Sequence, residues 1–344
     1  MSLFSILRLT VLTLFVLILG IAVLVFPPGK EIPLAQFSDS NLIGYMQIKI
    51  DLDDQIVRSL IQTRLNDFWT TQTDTSAKIP RSILKRIQKF QNYAMTKIVP
   101  YYSGALLYQS DKSVNPIPLY LINARIHPSL FKFCALPISI FHTDFRKADR
   151  SLTKEINRHS AVIYRHDRFL FSCERNLCFI ADNVDAFKYA ASDIPKPFAP
   201  NISMMQSMLN PKSDIVVILD NRFKTVRLAQ TFLEPEKFSF DSELAGEFYE
   251  TIRQHLKIYS DSIIVTGIEA DIVDDDRVKG KWLVVMNDET SAKQFTLVID
   301  ALHHLISRAL EPKDLIYQVE RANKGNQIIS SFEISGFKKL ARPN

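Results

Sequence analysis

The chain has 344 residues, of which 47% are hydrophobic and 23% charged, with 9 Gly, 16 Pro and 3 Cys. These proportions exclude a disordered tail protein, a disulfide-dense miniprotein, a collagen-like fibre and a multi-span channel, each of which needs a far more skewed composition. The 42 Lys and Arg against 37 Asp and Glu leave a net charge of +5, too little over this length to argue for a nucleic-acid partner.

The first element is apolar. Leu9 to Phe26 carries no charge and is interrupted only by Thr10, Thr13 and Gly20. As a helix it measures about 27 Å, close to a hydrocarbon core of about 30 Å. Its Leu, Ile, Val and Phe side chains sum to roughly −6 kcal/mol of insertion free energy. Arg8 and Lys30 flank it where long cations snorkel to headgroups. A cleaved leader has a shorter apolar core and a small-x-small cleavage site, whereas Val25-Phe26-Pro27-Pro28 stands here. The expectation is a retained single-pass anchor over 9–26 with a short cytoplasmic tail, 1–8. Arg8 and the α-amino group precede the span while Lys30 is offset by Glu31, so the positive-inside bias keeps the N-terminus in the cytoplasm. Everything from about Pro27 is then periplasmic or extracellular, tethered to the inner (cytoplasmic) membrane. Thr10, Thr13, Leu17 and Gly20 recur on one face, where small residues let a second membrane helix approach.

Pro27, Pro28, Gly29 and Pro33 make a stiff stalk, 27–40. A second break follows at Pro195, Pro197 and Pro200, ahead of Met204, Met205 and Met208. It separates a first α+β ectodomain, 41–200, from a second, 201–344. Ile43 to Asp51 alternates as a strand and runs into a helix from Asp53 to Trp69; Asp214 to Asp220 runs into a helix containing Phe223, Val226 and Phe232. An offset of 169 positions carries Asp51, Val57 and Arg58 onto Asp220, Val226 and Arg227.

Each half continues with a strand pair, a helical stretch and a second strand pair. In the first these are 104–109 with 117–126, a loosely helical 147–158, then 161–164 with 168–180. In the second they are 263–273 with 278–287, a clear helix 291–310, then 315–320 with 327–334. The fold expected is α+β: two similar domains with antiparallel-rich sheets and helices on one face, the mark of an internal duplication. In layout the chain resembles bacterial envelope proteins that carry one N-terminal anchor and duplicated exported α+β domains, a likeness that implies no activity.

Charge is uneven. Residues 78–175 hold 17 Lys and Arg against 6 Asp and Glu, a net of +11; residues 234–289 hold 6 against 14, a net of −8. Within the basic part, Pro80 to Ile98 is an amphipathic helix with Ile83, Ile87, Phe90 and Ala94 on one face. Arg81, Lys85 and Lys89 form a row beside Arg86. Such a helix either rests on anionic headgroups or packs its apolar side on the sheet.

Cys173 and Cys178 bracket a four-residue turn, and in an oxidising compartment a disulfide there is worth ~2 kcal/mol. Cys134 reads as a buried apolar residue. No further Cys or clustered His completes a zinc site. His303 and His304 are adjacent on a helix and point about 100° apart, so they do not share a metal. Asp274-Asp275-Asp276 lacks the remaining ligands of a calcium loop and reads as an exposed acidic turn. Ser82-x-x-Lys85 has no companion motif, and no G-x-S-x-G, Walker loop or dinucleotide fingerprint occurs.

The reading that follows is a membrane-anchored extracytoplasmic binding or scaffold protein without catalysis of its own. It has no cofactor, metal or catalytic residue, and no nucleic acid among its partners. Those partners are membrane lipid, through the anchor, and a protein or a second copy of the chain, in a cleft between the two duplicated halves near the proline break. The alternatives are an accessory subunit of a membrane complex, using the Thr10, Thr13 and Gly20 face, and an exported hydrolase using His142, Asp144, His159 or His166.

Overall fold

Alternation of apolar residues dictates the strands. The computed structural model describes residues 31, 34–49, 56–57, 100–109, 116–124, 145–147, 163–166, 169–174, 177–183, 185–187, 197–222, 250, 254 and 258–340. In chain order the strands are β1 (Leu42–Lys49), β2 (Pro100–Tyr108), β3 (Ile117–Ala124), β4 (Phe145–Lys147), β5 (Ile163–His166), β6 (Phe169–Glu174) and β7 (Leu177–Ala181). They continue as β8 (Ile215–Asp220), β9 (Ile263–Ile272), β10 (Arg277–Met286), β11 (Ile316–Lys324) and β12 (Gln327–Ser335). The helices are α1 (Pro200–Met208), α2 (Glu289–Leu310) and the single turn α3 (Phe337–Leu340). The fold is mostly antiparallel sheet with some helices, α+β as the sequence leads one to expect. Among the described residues no helix is long and apolar enough to cross a membrane. Leu9 to Phe26, with Thr10, Thr13, Leu17 and Gly20, lies outside them, as do Arg81, Lys85, Arg86, Lys89 and Cys134.

The chain divides into two units, each drawn from separate stretches. The first holds Met1–Gln36, Ile61–Ser103 and Leu119–Asp193; the second holds Phe37–Leu60, Gly104–Pro118 and Ile194–Asn344. In the first the strand order is β3-β7-β6-β5-β4. Leu121 opposite Phe179, Asn123 opposite Leu177 and Leu170 opposite Ala181 share its buried face. The helical stretch expected from Lys147 starts on the last residue of a short strand, β4, because Phe145-Arg146-Lys147 pairs with Tyr164 to His166. The rest of that stretch lies outside the described residues.

In the second unit the order is β11-β12-β10-β9-β8-β1. β8 buries every second residue, so Val216, Ile218 and Asp220 share one face with Ile43, Tyr45 and Gln47 of β1. α1 covers this face. Proline at its first position fixes the helical φ without losing a needed N–H, and its buried Ile202 and Met205 point inward. Gly267 makes the close approach possible, since a Cβ there would stand 2.7 Å from both Met205 and Leu209. The Lys281 ammonium donates to the Met208 carbonyl at 2.6 Å and so offsets the negative helix end.

α2 covers the opposite face. Asp288 caps it, accepting from the Ser291 N–H and hydroxyl, both at 2.8 Å, and these bonds hold its carboxyl below the usual range. Ala292, Phe295, Val298, Ile299 and Leu302 then recur at helical spacing and bury against Val284, Met286 and Ile328. The helix ends where Pro312 follows and Asp314 turns left-handed at φ 56°, which seats Leu315 in the core. β11 extends to Lys324, beyond the expected Glu320, because its ladder with β12 continues to the turn at Gly325.

The acidic turn between β9 and β10 is engaged rather than simply exposed. Asp274 accepts from the Arg277 guanidinium at 2.6 Å, which keeps its carboxyl low. Asp275 pairs with Lys338 at 2.7 Å. Asp276 accepts the Lys338 N–H at 2.9 Å, tying the C-terminal segment to the hairpin.

Candidate functional site

The inward position at the end of β8 holds a carboxylate. Asp220 is fully buried, and such a charge persists only with partners. Two residues on, the Arg222 guanidinium donates Nε to Asp220 Oδ2, and its backbone N–H donates to Oδ1 at 3.0 Å. Asn201, in the first turn of α1, donates Nδ2 to the same Oδ1 at 2.9 Å. The Arg222 NH2 group reaches the carbonyls of Ser40 and Leu42, each at 3.3 Å. The proline break, the end of β8 and the entry to β1 are thus fastened at one carboxylate.

Around this knot the loops close with carboxamides. Asn221 is buried and donates Nδ2 to the carbonyls of Ser260 and, at 2.8 Å, Ile263. Asn287 follows β10 and precedes the α2 cap, Asp288. Its backbone N–H donates to the Ser262 carbonyl at 2.8 Å, and Nδ2 donates to the Asp261 carbonyl at 3.2 Å. A cavity of about 460 Å³ opens here, lined by Asn201, Asn221, Arg222, Asp261, Ile263, Ile264 and Asn287. The size suits a small molecule or a short segment of a larger one. Its surface offers carboxamide donors and acceptors, one guanidinium and one carboxylate, a set that orients a polar ligand by hydrogen bonds. It lies within the second unit, to which all of these lining residues belong, beside the proline break. Asn201, in the sequon Asn201-Ile-Ser203, spends its amide on Asp220.

Among the described residues no group of three or more His, Cys, Asp and Glu could hold a metal. His142, Asp144 and His159 lie outside them, and His166 is placed by its backbone, opposite Phe145 and Phe169. Cys173 and Cys178 are register partners in the β6–β7 hairpin, and Cys178 is disulfide-bonded. The pocket residues Asn221, Asp261 and Asn287 carry no motif. The signal that could have found the site is Asp220 itself, a carboxylate at an inward position of an otherwise apolar alternation, followed by Asn221-Arg222.

His303 is buried on α2 and shares a hydrogen bond between Nδ1 and the Tyr317 hydroxyl, while Nε2 has no partner among the described residues. Trp282 meets the ring edge-on at 5.9 Å and Tyr317 stacks at 5.7 Å. Burial lowers the His303 pKa and pushes the Tyr317 hydroxyl up to about 12. The unfolded chain therefore takes up this proton first as pH falls. The stability held by neutral His303 is complete above the unfolded value of 6.5 and declines below it, by at most about 1.4 kcal/mol per pH unit, until the folded value is reached. In urea titrations from pH 8 to 5, wild type should lose more stability than His303→Leu; parallel profiles would refute this.

Compared with protein-family models, with curated proteins and with solved structures, the chain matches none.

Proposed function

We propose that this chain is a membrane-anchored extracytoplasmic binding or scaffold protein of the cell envelope whose second unit receives a polar ligand or partner segment at the end of β8. The cavity beside the Asp220 knot carries this reading. Its lining carries three carboxamides, Asn221 and Asn287 held by backbone carbonyls and Asn201 by the Asp220 carboxylate, an arrangement suited to orienting hydrogen bonds rather than to moving protons. The anchor is Leu9 to Phe26, with the N-terminus cytoplasmic and the bulk periplasmic or extracellular. A Cys173–Cys178 bond would fit that compartment and the register that sets the two residues opposite each other.

An internal duplication belongs to the same proposal. In the first unit β7 then β6 lie beyond β3; in the second β12 then β11 lie beyond β10. The offset of 169 positions that carries Asp51 onto Asp220 carries Gln47 onto Val216, and these two are partners in the β1–β8 ladder. The offset thus pairs a position with its own repeat inside the second unit's sheet.

The test is a benzophenone amino acid in place of Asn287 in the full chain, illuminated in intact cells. The expected result is a discrete adduct that stays with the membrane after carbonate extraction. A chain that folds and gives no adduct, or that washes free in carbonate, would overturn the proposal.

A further inference from the structure

β11 is the outer strand of the second unit's sheet. Eight of its nine residues are exposed and the ninth, Tyr317, is half-buried. Two of the exposed ones are large and apolar: Ile316 at 57% and Val319 at 40%. An open edge presents a row of backbone donors and acceptors that another strand can complete, and proteins generally shield such rows. The strand in the equivalent position of the first half, β6, is shielded: β5 pairs with it antiparallel, Ile163 opposite Ser172 through His166 opposite Phe169. β11 has no such cover among the described strands.

We propose that β11 pairs antiparallel with β11 of a second copy of this chain, about a two-fold axis through Val319. An axis perpendicular to the sheet keeps each face on its own side, so one residue must oppose itself. Centring on Glu320 or Arg321 sets like charges face to face, which destabilises a strand pair. Centring on Ala322 matches Glu320 with Lys324 but leaves Ile316 and Tyr317 without partners. Centring on Val319 matches seven residues: Val319 with itself, Gln318 with Glu320, Tyr317 with Arg321 and Ile316 with Ala322. This register covers both exposed apolar residues and sets an amide against a carboxylate and a guanidinium against an aromatic ring. Arg321 is already held by Asp300 of α2, so less side-chain freedom is lost. The same axis brings both α2 helices to one face of the joined sheet. Leu297, 71% exposed, adjoins Thr296, which accepts a bond from Asn323 of β11.

The experiment uses the full chain in mild detergent, with Cys134→Ser to remove one thiol. Light scattering after size exclusion should give a dimer at tens of micromolar, and Val319→Lys should raise its dissociation constant at least tenfold. Under mild oxidation Val319→Cys should form a covalent dimer and Ala322→Cys should not. A monomeric wild type, a dimer indifferent to Val319→Lys, or cross-linking through Ala322→Cys in place of Val319→Cys would overturn the proposal. A monomer would leave the pocket reading standing, and an empty pocket would leave the dimer standing.

Discussion

Arg222→Ala should destabilise the second unit by about 3 kcal/mol, at the lower end of what removing one partner of a buried ion pair costs. The cost arises from what remains. Asp220 has no exposure, so among the described residues its charge would keep the Asn201 amide and the Arg222 N–H alone, at 2.9 and 3.0 Å. Partial exposure of Arg222 places the effect at the lower end, because water can reach the vacated position. Loss of the bonds to the Ser40 and Leu42 carbonyls would loosen β1 at its entry. Urea unfolding followed through Trp282 fluorescence, in a Trp69→Phe background, measures this directly. Asp220→Asn combined with Arg222→Ala should recover more than half of the loss, since a neutral amide needs no counter-charge. A double variant no more stable than Arg222→Ala alone would mean that the ion pair is not what holds the knot.

Much of the second unit is legible in the sequence because each element satisfies a local rule. The 263–273 and 278–287 hairpin shows as two apolar-rich, β-branched runs of strand length on either side of an acidic turn, and the helix after it carries Phe295, Val298, Ile299 and Leu302 at helical spacing behind an Asp288 cap. The end of β11 was harder to read. From Gln318 to Lys324 every residue is exposed, so periodicity has nothing to register there and the ladder with β12 fixes its length. β1 shows the limit of local reading. It forms a strand as expected, although Leu42 to Tyr45 are all buried rather than alternating; its antiparallel partner is β8, far away in sequence, and pairing across such a distance leaves no local trace. The pocket was hidden for a related reason. Asn201, Asn221 and Asn287 each look like ordinary turn or cap residues, and they converge only when the proline break, the end of β8 and the end of β10 come together. The Nε2 of His303, unpartnered among the described residues, is equally invisible beforehand, because His303 and Tyr317 meet only through packing of α2 on β11.

Phe295→Ala should cost about 4 kcal/mol, the transfer free energy of the ring plus the cavity left behind. Phe295 is 2% exposed, lies in the cluster with Val284, Met286 and Ile328, and meets Tyr259 edge-on at 5.5 Å. The cavity would be slow to collapse, because backbone on both sides is fixed: β10 lies between two paired strands, and the helix is held at its start by Asp288. Leu297→Ala, two residues on but 71% exposed, should change stability by no more than about 0.5 kcal/mol. A loss of similar size from both would mean that α2 is not seated through this face. The packing also bears on the pocket, since Asn287 immediately precedes the Asp288 cap and is fixed by the Ser262 and Asp261 carbonyls. A loosened α2 lowers the free energy of local opening at its first turn, so faster amide exchange should reach Asn287 in Phe295→Ala and leave Ser203 of α1, whose N–H is held by the Ala199 carbonyl at 2.9 Å, protected. Exchange rising equally at both would place the defect in the whole unit rather than under α2.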